Sequence, residues 1–375
     1  MNFERGVIIP TLIVIYLEIF SGTADLSAIE VEEDGKLKEL QVSYGNNAGG
    51  QNINDAFLQH CHDSFQGKEW QKIFSNVTPA DAVKMEANFE KSKVQIGSTD
   101  SDGQMIEVEI PAAIRKGIEK KSITLKEGSL VQYDDEEFLF ASDFVRKELF
   151  QTTCSLIYEN SIRYVLCRDE AKGIKTVILV GGLSESPIVV DLLRGKIEQD
   201  FPDVKVVVPD SPFKSVLLGA VLYGHDPMKF SSRISRETYG VAANVPFDEA
   251  KHDESKKWWS EIAGMYFCKD FFSIHVKKGQ SVNLLESQSA QVYKPRSKKL
   301  NVVSVPIYSS SNVNPKYITD EGCKRIGNVR LEIADSTGGT ERNVEVRMMY
   351  GGSQIAVLAK DINTGKAVDA EIVFG

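Results

Sequence analysis

The chain has 375 residues, which is enough for two or more packed domains, each with a core of its own. Its 42% hydrophobic and 26% charged residues are ordinary for a globular protein, and its net charge of −9 argues against a general affinity for nucleic acid or anionic membranes. The five cysteines are scattered and form no CxxC pair, which argues against a zinc site or disulfide framework and favours a reduced, cytoplasmic environment.

The first 20 residues allow two interpretations. An apolar run over residues 7–20, followed by small residues, is compatible with a signal peptide that covers residues 1–24. Pro10 and Glu18 interrupt this run, which is also short for a membrane span. The alternative, favoured by the β-branched and aromatic residues at positions 11–16, is a buried strand that leads into a phosphate loop.

Hydrophobic periodicity then alternates between strands and helices over roughly residues 10–230, as in an α/β domain. An uneven apolar stripe at Val145, Leu149, Ile157 and Ile162 indicates a long helix. The predicted strands cover residues 11–16, 26–31, 37–42, 106–110, 176–180 and 204–208. The strands at residues 11–16, 176–180 and 204–208 are expected to be buried. The predicted helices cover residues 53–62, 80–93, 143–164, 187 onward and 216–223.

The pattern changes after residue 231, where helical periodicity nearly vanishes and short alternating runs are separated by turns. This change predicts an antiparallel β-sandwich over residues 231–375. Two aromatic pairs stand within it, Trp258-Trp259 and Tyr266-Phe267. We expect both pairs to belong to the buried core rather than to a docking patch.

Two glycines, Gly181 and Gly182, join a buried strand to a helix that begins at Pro187, with Ser186 at the capping position. Glycines at the carboxyl end of a strand let the backbone approach a flat ligand, at the edge where α/β folds bind their ligands. A tight turn that needs positive φ would explain an isolated pair equally well. The longer string over residues 177–187 is more specific.

That string and the sequence Val-Leu-Leu-Gly-Ala-Val-Leu-Tyr-Gly at residues 216–224 resemble the 70-kDa heat-shock proteins, and among them the divergent branch called heat shock 70 kDa protein 12. The resemblance runs from about Gly22 to the C-terminus. It implies an α/β fold over residues 21–230, that of the ribonuclease-H-like second lobe of an actin-like ATPase, followed by the β-sandwich. It also implies ATP or ADP with Mg²⁺ as cofactor, and a protein or peptide client as partner.

The resemblance further implies a phosphate loop with the family pattern Asp-x-Gly-Gly-Gly-Thr-x-Asp. This sequence matches the pattern at Gly22, Thr23 and Asp25. It departs from the pattern at Glu18, Phe20 and Ser21. Because backbone N–H groups must close around the phosphate oxygens, the bulky side chain of Phe20 is expected to weaken the loop.

Two more segments are implied to contact the nucleotide. Gly49 and Gly50 match the family's glycine loop, which precedes a helix of the lobe. Glu90 and Lys93 match the pair that clamps the ribose of adenosine. Without the resemblance, a Glu-x-x-Lys spacing would be interpreted as an exposed i,i+3 ion pair on one helix face.

The adenosine loop itself is implied to contain Gly181, Gly182 and Ser184. Glu185 stands where typical members of the family stack an arginine on adenine. The divergent branch tolerates this replacement. Because it departs from the typical members, the resemblance implies a weak or vestigial site for the purine.

An actin-like ATPase holds its nucleotide between two lobes, and the residues before Gly22 are too few to encode the first lobe. Phosphoryl transfer needs charges on both sides of the phosphates. We therefore expect no ATP turnover from this chain alone, and we predict no catalytic residue and no protein ligand to a metal. Whether the intact protein is an enzyme is left open.

The leading hypothesis is a chaperone-related protein with a partial adenine-nucleotide site and a β-sandwich that holds a protein or peptide partner. One alternative is a nucleotide-independent interaction or scaffold protein, which titration with nucleotide would distinguish. A sugar kinase on the same fold is a second alternative, against which the C-terminal sandwich argues. A third is the truncated product of an intact ATPase, which upstream sequence encoding Asp-x-Gly-Gly would reveal.

Overall fold

The structure is a computed structural model that describes residues 12–64, 73, 76–95, 105–121, 131–134, 136–141, 145–284, 286, 290–294, 302–332, 343–351 and 354–373. The chain divides into two units. The first unit comprises Met1–Val31 and Ser43–His225, and the second comprises Glu32–Val42 and Asp226–Gly375. Residues 1–11 of the possible signal peptide lie outside the described residues.

The regular elements alternate in the first unit and are almost entirely strands in the second. The strands are β1 (Leu12–Ile19), β2 (Ala24–Val31), β3 (Leu37–Glu39), β4 (Tyr44–Asn46), β5 (Met105–Glu109), β6 (Val131–Asp134), β7 (Glu137–Ala141), β8 (Thr176–Val180), β9 (Lys205–Val207), β10 (Phe230–Ile234), β11 (Thr238–Pro246), β12 (Lys257–Ser260), β13 (Met265–Val276), β14 (Ser281–Asn283), β15 (Gln291–Tyr293), β16 (Val302–Ser310), β17 (Cys323–Glu332), β18 (Val344–Gly351), β19 (Gln354–Asp361) and β20 (Ala367–Val373). The helices are α1 (Gly50–Ser64), α2 (Pro79–Gln95), α3 (Ala112–Lys121), α4 (residues 145–166), α5 (Pro187–Asp200) and α6 (Pro212–His225).

A mixed sheet forms the centre of the first unit. Its middle strand β1 pairs antiparallel with β2 and parallel with β8, and β4 and β9 extend the sheet beyond these two neighbours. Val14, Ile15, Leu17 and Ile19 of β1 are buried, as expected for a strand with neighbours on both sides, whereas Leu12 at its start is 45% exposed. β5, β6 and β7 form a separate antiparallel sheet. The α/β pattern predicted from the sequence is confirmed.

The predicted strand at residues 204–208 is shorter than expected, and the prediction that it is buried is wrong. β9 pairs with β8 on one side, and Val207 is 44% exposed. Within the described residues β9 is the last strand of its sheet, so its apolar composition does not lead to burial.

The uneven apolar stripe of α4 has a structural cause. The helix contains two π-helical stretches, Val145–Phe150 and Tyr158–Arg163, which alternate with α-helical turns. A π-helical turn holds more residues than an α-helical one, so buried positions are spaced irregularly along the sequence. Val145, Leu149, Ile157 and Ile162 are all buried. No helix in the part of the chain that the structure describes is both long and apolar enough to cross a membrane.

The second unit contains two larger antiparallel sheets. One has the strand order β12-β13-β11-β16-β17 and the other has the order β15-β18-β19-β20. In the same unit, β10 pairs parallel with β3 and antiparallel with β14. Both larger sheets supply side chains to one hydrophobic cluster, which includes Val241, Ile307 and Leu331 from the first sheet and Val346 and Val357 from the second. Alternate residues along each strand reach this core, as the period of a half-buried strand requires.

The prediction that both aromatic pairs are core residues is wrong. Trp258, Trp259 and Tyr266 are 43%, 47% and 48% exposed. They lie on the hairpin of β12 and β13, at the edge of the five-stranded sheet. The rings of Trp259 and Tyr266 pack against each other, with centroids 4.8 Å apart. Consecutive residues of a strand face opposite sides, so an edge hairpin cannot bury both tryptophans in one core.

A partly buried polar cluster joins β13 to β15 in the second unit. The hydroxyl of Tyr293 lies 3.0 Å from His275 Nε2 and 2.8 Å from Ser273 Oγ, and both hydroxyls hydrogen-bond to Gln291. His275 Nδ1 is buried without a hydrogen-bond partner within the described residues. Burial lowers the pKa of His275 to about 4, because a charged ring would lose its hydration.

We predict that the second unit loses stability as the pH falls from about 6.5 to about 4. The unfolded chain takes up a proton on His275 near its ordinary pKa, whereas the folded chain does so only near pH 4. The stability is therefore fully present above about pH 6.5 and declines by up to about 1.4 kcal/mol per pH unit below it. Urea unfolding of the second unit at a series of pH values measures this.

His275→Gln should remove that component of the pH dependence. His225→Gln is the matched control, because His225 is exposed on the first unit. An unchanged pH dependence in His275→Gln would contradict the assignment to this ring.

Candidate functional site

The two main segments predicted to contact nucleotide follow neighbouring parallel strands. Glu18 in β1 lies opposite Val180 in β8, so the carboxyl ends of both strands are at the same edge of the sheet. The loop after β1 covers residues 20–23, and the loop after β8 begins at Gly181. A ligand at this edge would meet both loops, as is usual for α/β sheets.

Gly181 allows these two loops to touch. Its φ is +87°, in a region that glycine adopts readily, and a Cβ atom would lie 2.5 Å from the carbonyl oxygen of Ile19. Its amide donates to the carbonyl of Pro212, the first residue of α6, at 3.0 Å. Gly181 therefore has the positive φ of a tight turn and also lies at the edge of the sheet where a ligand would approach.

Ser184 and Gly182 have different positions in this loop. Ser184 is buried, and its Oγ donates to the carbonyl of Val180 at 2.7 Å, so its hydroxyl hydrogen supports the turn from inside. Gly182 is half-buried, and a Cβ atom there would lie 3.6 Å from the ring of Phe213. Of the two residues, Gly182 is the more exposed one, and the Phe213 ring lies in van der Waals range of any side chain placed there.

The loop at residues 20–23 leaves its amides open. Phe20 N–H donates to the carbonyl of Thr23 at 2.9 Å, which closes the turn. In the described part of the chain, the N–H groups of Ser21, Gly22 and Thr23 donate to no backbone or side-chain acceptor. A Cβ atom on Gly22 would meet nothing within 4 Å. Successive free N–H groups in a turn form a concavity suited to an anion.

Two carboxylates flank this loop. Asp25 lies opposite Glu18 across the β1–β2 pair, and its Oδ2 accepts a hydrogen bond from Thr23 Oγ1 at 2.9 Å. Gly45 lies opposite Asp25 on β4, where a Cβ atom would collide with the Asp25 carboxylate. Burial, and then the charge of Asp25, raise the pKa of Glu18. The Oε1 atom of Glu18 is buried and has no hydrogen-bond partner among the described residues, so this corner favours a proton or a cation.

The glycines before α1 hold the loop from behind. Gly50 N–H donates to the carbonyl of Phe20 at 3.0 Å, and Gln51 N–H donates to the carbonyl of Ser21. A Cβ atom on Gly49 would lie 2.6 Å from the Phe20 carbonyl oxygen, so glycine is needed for this approach. The first amides of α1 are therefore occupied by the loop and do not face a ligand.

Lys93 is buried, with 1% of its surface exposed, so the interpretation of Glu90 and Lys93 as an exposed ion pair is wrong. Its Nζ donates to Glu90 Oε1 at 2.5 Å, to Asn54 Oδ1 at 2.9 Å and to the carbonyl of Gly50 at 3.3 Å. Asn54 Nδ2 also donates to Glu90 Oε1 at 2.7 Å. Burial lowers the pKa of Lys93, and the hydrogen bond and charge of Glu90 oppose this shift.

All three hydrogens of the Lys93 ammonium are thus used within the protein. The lysine ties α2 to the first residue of α1, and through Gly50 to the loop that carries Gly22. Glu90 retains 39% of its side chain exposed and is the member of the pair that a ligand can reach. Lys93 therefore positions the loop in this structure, and direct contact with a ribose stays a prediction.

Sequence reasoning assigned no role at the site to three residues of this region. Gly45 is a single glycine in a short strand, and no sequence signal marks its position beneath Asp25. Asn54 lies one helical turn after Gly50 but contacts α2, which no local pattern reveals. Phe213 adjoins Gly182 only because Gly181 bonds to Pro212.

Comparison with known proteins identifies relatives of this chain. The model of the family described as "Hsp70 protein" matches residues 10–225. Human heat shock 70 kDa protein 12A is 28% identical over 365 residues, and human heat shock 70 kDa protein 12B is 28% identical over 369 residues. The mouse 12A protein is 29% identical over 366 residues. Each alignment covers 94% of this chain and 52% of the relative, so the chain spans about half the length of the curated relatives it matches.

We predict that Lys93→Met destabilises the first unit by roughly 1–3 kcal/mol, because it leaves the buried acceptors of Asn54 and Gly50 without a donor. Urea unfolding followed by circular dichroism at 222 nm measures this, because all the described α-helices lie in the first unit. Lys91→Met, at an exposed position of the same helix, is the control and should change stability little. Equal effects of both substitutions would show that the buried network does not form.

We also predict that Gly181→Ala destabilises the first unit by roughly 1–3 kcal/mol, because the residue is held at positive φ against the Ile19 carbonyl. Gly195→Ala is the control with the opposite expected sign, because Gly195 is exposed within α5 and a Cβ atom there would meet nothing within 4 Å. It should stabilise the same unit by about 0.5–1 kcal/mol. The same unfolding measurement compares the two, and a stable Gly181→Ala protein would refute the close contact between the loops.

Proposed function

This chain belongs to the Hsp70 family, in the divergent branch of heat shock 70 kDa protein 12, and we propose that it is a chaperone-related protein that binds adenine nucleotide weakly. Membership in the family implies the actin-like α/β fold for the matched residues 10–225. The proposed nucleotide site lies in the first unit, and the proposed partner surface lies in the second.

The observation that supports nucleotide binding is the open loop at residues 20–23, placed beside Gly181 and Gly182. Three N–H groups without acceptors suit phosphate oxygens. The described residues contain no group of three or more side chains that could hold a metal ion by themselves. The adjacent Glu18 and Asp25 would nevertheless suit the Mg²⁺ that accompanies a phosphate, which departs from the expectation that this chain provides no ligand to a metal. A bound nucleotide would supply the phosphate charge that draws the cation to these carboxylates. Gly182 leaves the backbone accessible to adenosine, and Glu90 offers a carboxylate to the ribose.

Other features of the same region fit a nucleotide less well, and they are the reason for weak binding. Phe20 is 36% exposed at a position where the family pattern has glycine. The Lys93 ammonium is fully engaged with protein acceptors, so a ribose hydroxyl would have to replace one of them. Hydrogen bonds to charged groups contribute roughly 1.5–3 kcal/mol only where water is excluded, and an exposed loop keeps its water. We therefore expect affinity for ADP in roughly the millimolar range.

For the second unit we propose a β-sandwich over residues 231–375 that binds a protein or peptide partner. The two antiparallel sheets and their common hydrophobic cluster support the sandwich. The exposed rings of Trp258, Trp259 and Tyr266 support partner binding, because exposed aromatic clusters mark interaction sites. The acidic net charge of the chain favours a protein partner over nucleic acid.

A second candidate, an interaction or scaffold protein that needs no nucleotide, is favoured by the buried state of Lys93. The lysine network explains the Glu90–Lys93 pair without any ligand. The aromatic hairpin would then carry the function of the chain. Nucleotide titration separates the two candidates.

We predict that NMR or calorimetric titration of the chain with ADP and Mg²⁺ gives millimolar binding, with shifts at residues 20–23 and 181–182. Gly182→Val should weaken this binding further, because a branched side chain at this position would crowd the Phe213 ring and cover the backbone of the loop. Gly195→Val, on α5, is the control for a valine introduced elsewhere in the unit. The absence of shifts at several millimolar ADP would favour the scaffold candidate, and submicromolar binding would contradict the view of a weakened site.

A further inference from the structure

Phe213 stands beside the nucleotide loop through a contact made by the backbone. The carbonyl of Pro212 accepts the amide hydrogen of Gly181 at 3.0 Å, which fixes the first turn of α6 against the loop after β8. The Phe213 ring then lies 3.6 Å from the point where a Cβ atom of Gly182 would stand. Ring and glycine backbone are thus neighbours with no side chain between them.

The ring is largely open to solvent. Phe213 is 58% exposed although it is large and apolar, and Gly182 beside it is half-buried. Four other apolar residues of α6 are similarly exposed, namely Leu217, Leu218, Val221 and Leu222. Among these five, Phe213 is the aromatic one and lies at the start of the helix, next to Gly181.

Glu185, which stands where typical members of the family have an arginine, cannot provide a stacking face for a base. Glu185 ends the short turn that begins at Gly182, and its side chain is exposed. A carboxylate offers no flat surface, and it repels the phosphates of a nucleotide. An aromatic ring offers a flat π surface on which part of a base can stack, and such stacking contributes about 1–3 kcal/mol.

We propose that Phe213 stacks on the base of the bound nucleotide and is the residue that determines which bases the site accepts. This inference rests on the proposed nucleotide site. Stacking reads the area of the π surface rather than the hydrogen-bonding pattern of the base edge. The site therefore accepts purine nucleotides as a class, with ADP and GDP bound about equally well, and it binds ribose 5-phosphate, which has no base, less well.

Saturation-transfer difference NMR with ADP, GDP and ribose 5-phosphate tests this, because the method suits millimolar ligands. In the unaltered chain, the base protons H8 of both purines should receive more saturation than the ribose protons. Phe213→Ala should abolish that excess and lower the affinity for ADP and GDP by about fivefold to a hundredfold. The affinity for ribose 5-phosphate should stay unchanged, and Phe213→Trp should retain the purine signals.

Leu222→Ala is the matched control, since Leu222 is 66% exposed on the same helix and lies on its opposite side from Phe213. It should behave like the unaltered chain. Phe213→Ala with undiminished binding of ADP would overturn the inference, and so would an equal loss of ADP and ribose 5-phosphate. A strong preference for ADP over GDP would overturn the purine-class assignment. If the unaltered chain bound neither ADP nor ribose 5-phosphate, the proposed nucleotide site itself would be refuted, and this inference with it.

Discussion

The candidate site depends on the parallel pairing of β1 with β8. That pairing places the ends of two strands, about 160 residues apart in the sequence, at one edge of one sheet. The contact of Gly181 with the Ile19 carbonyl then sets the distance between the two loops, and the bond from Gly181 to Pro212 brings the start of α6 to the same place. A side chain at position 181 would collide with the Ile19 carbonyl, so this close approach of the two loops requires glycine.

The buried ammonium of Lys93 is the second constraint on the candidate site. Removing an ammonium from water is costly, and the cost is offset here by one carboxylate and two neutral oxygens. The arrangement ties α2 to Gly50, the residue that begins α1. The amide of Gly50 in turn donates to the carbonyl of Phe20 in the loop at residues 20–23. A ligand that recruited Lys93 would have to weaken this tie. The three hydrogen bonds of the Lys93 ammonium that hold the loop are therefore the ones that a ligand contacting Lys93 would disturb.

The parts of the structure that local chemistry determines could be predicted from the sequence. Buried strands such as β1 and β8, the start of α5 at Pro187 and the need for glycine at position 181 all follow from short-range rules. Burial of Lys93 could not be predicted, because Glu-x-x-Lys on a helix is the same pattern whether α1 packs over it or not. The exposure of Trp258 and Trp259 depends on β12 being an edge strand, which is a property of the sheet and not of the pair.

The helix α6 carries a series of exposed apolar residues that begins beside the candidate site at Phe213. A helix with apolar residues around most of its circumference is typical of helices packed on both sides, and Leu217, Leu218 and Val221 are at least 60% exposed. Phe213 belongs to these exposed residues of α6 and also lies beside Gly182 in the loop after β8. Anything that covers α6 would therefore meet the ring that we propose to stack on the base. Since binding free energies are reciprocal, a ligand stacked on Phe213 and a partner packed on α6 would each change the affinity of the other by the same factor.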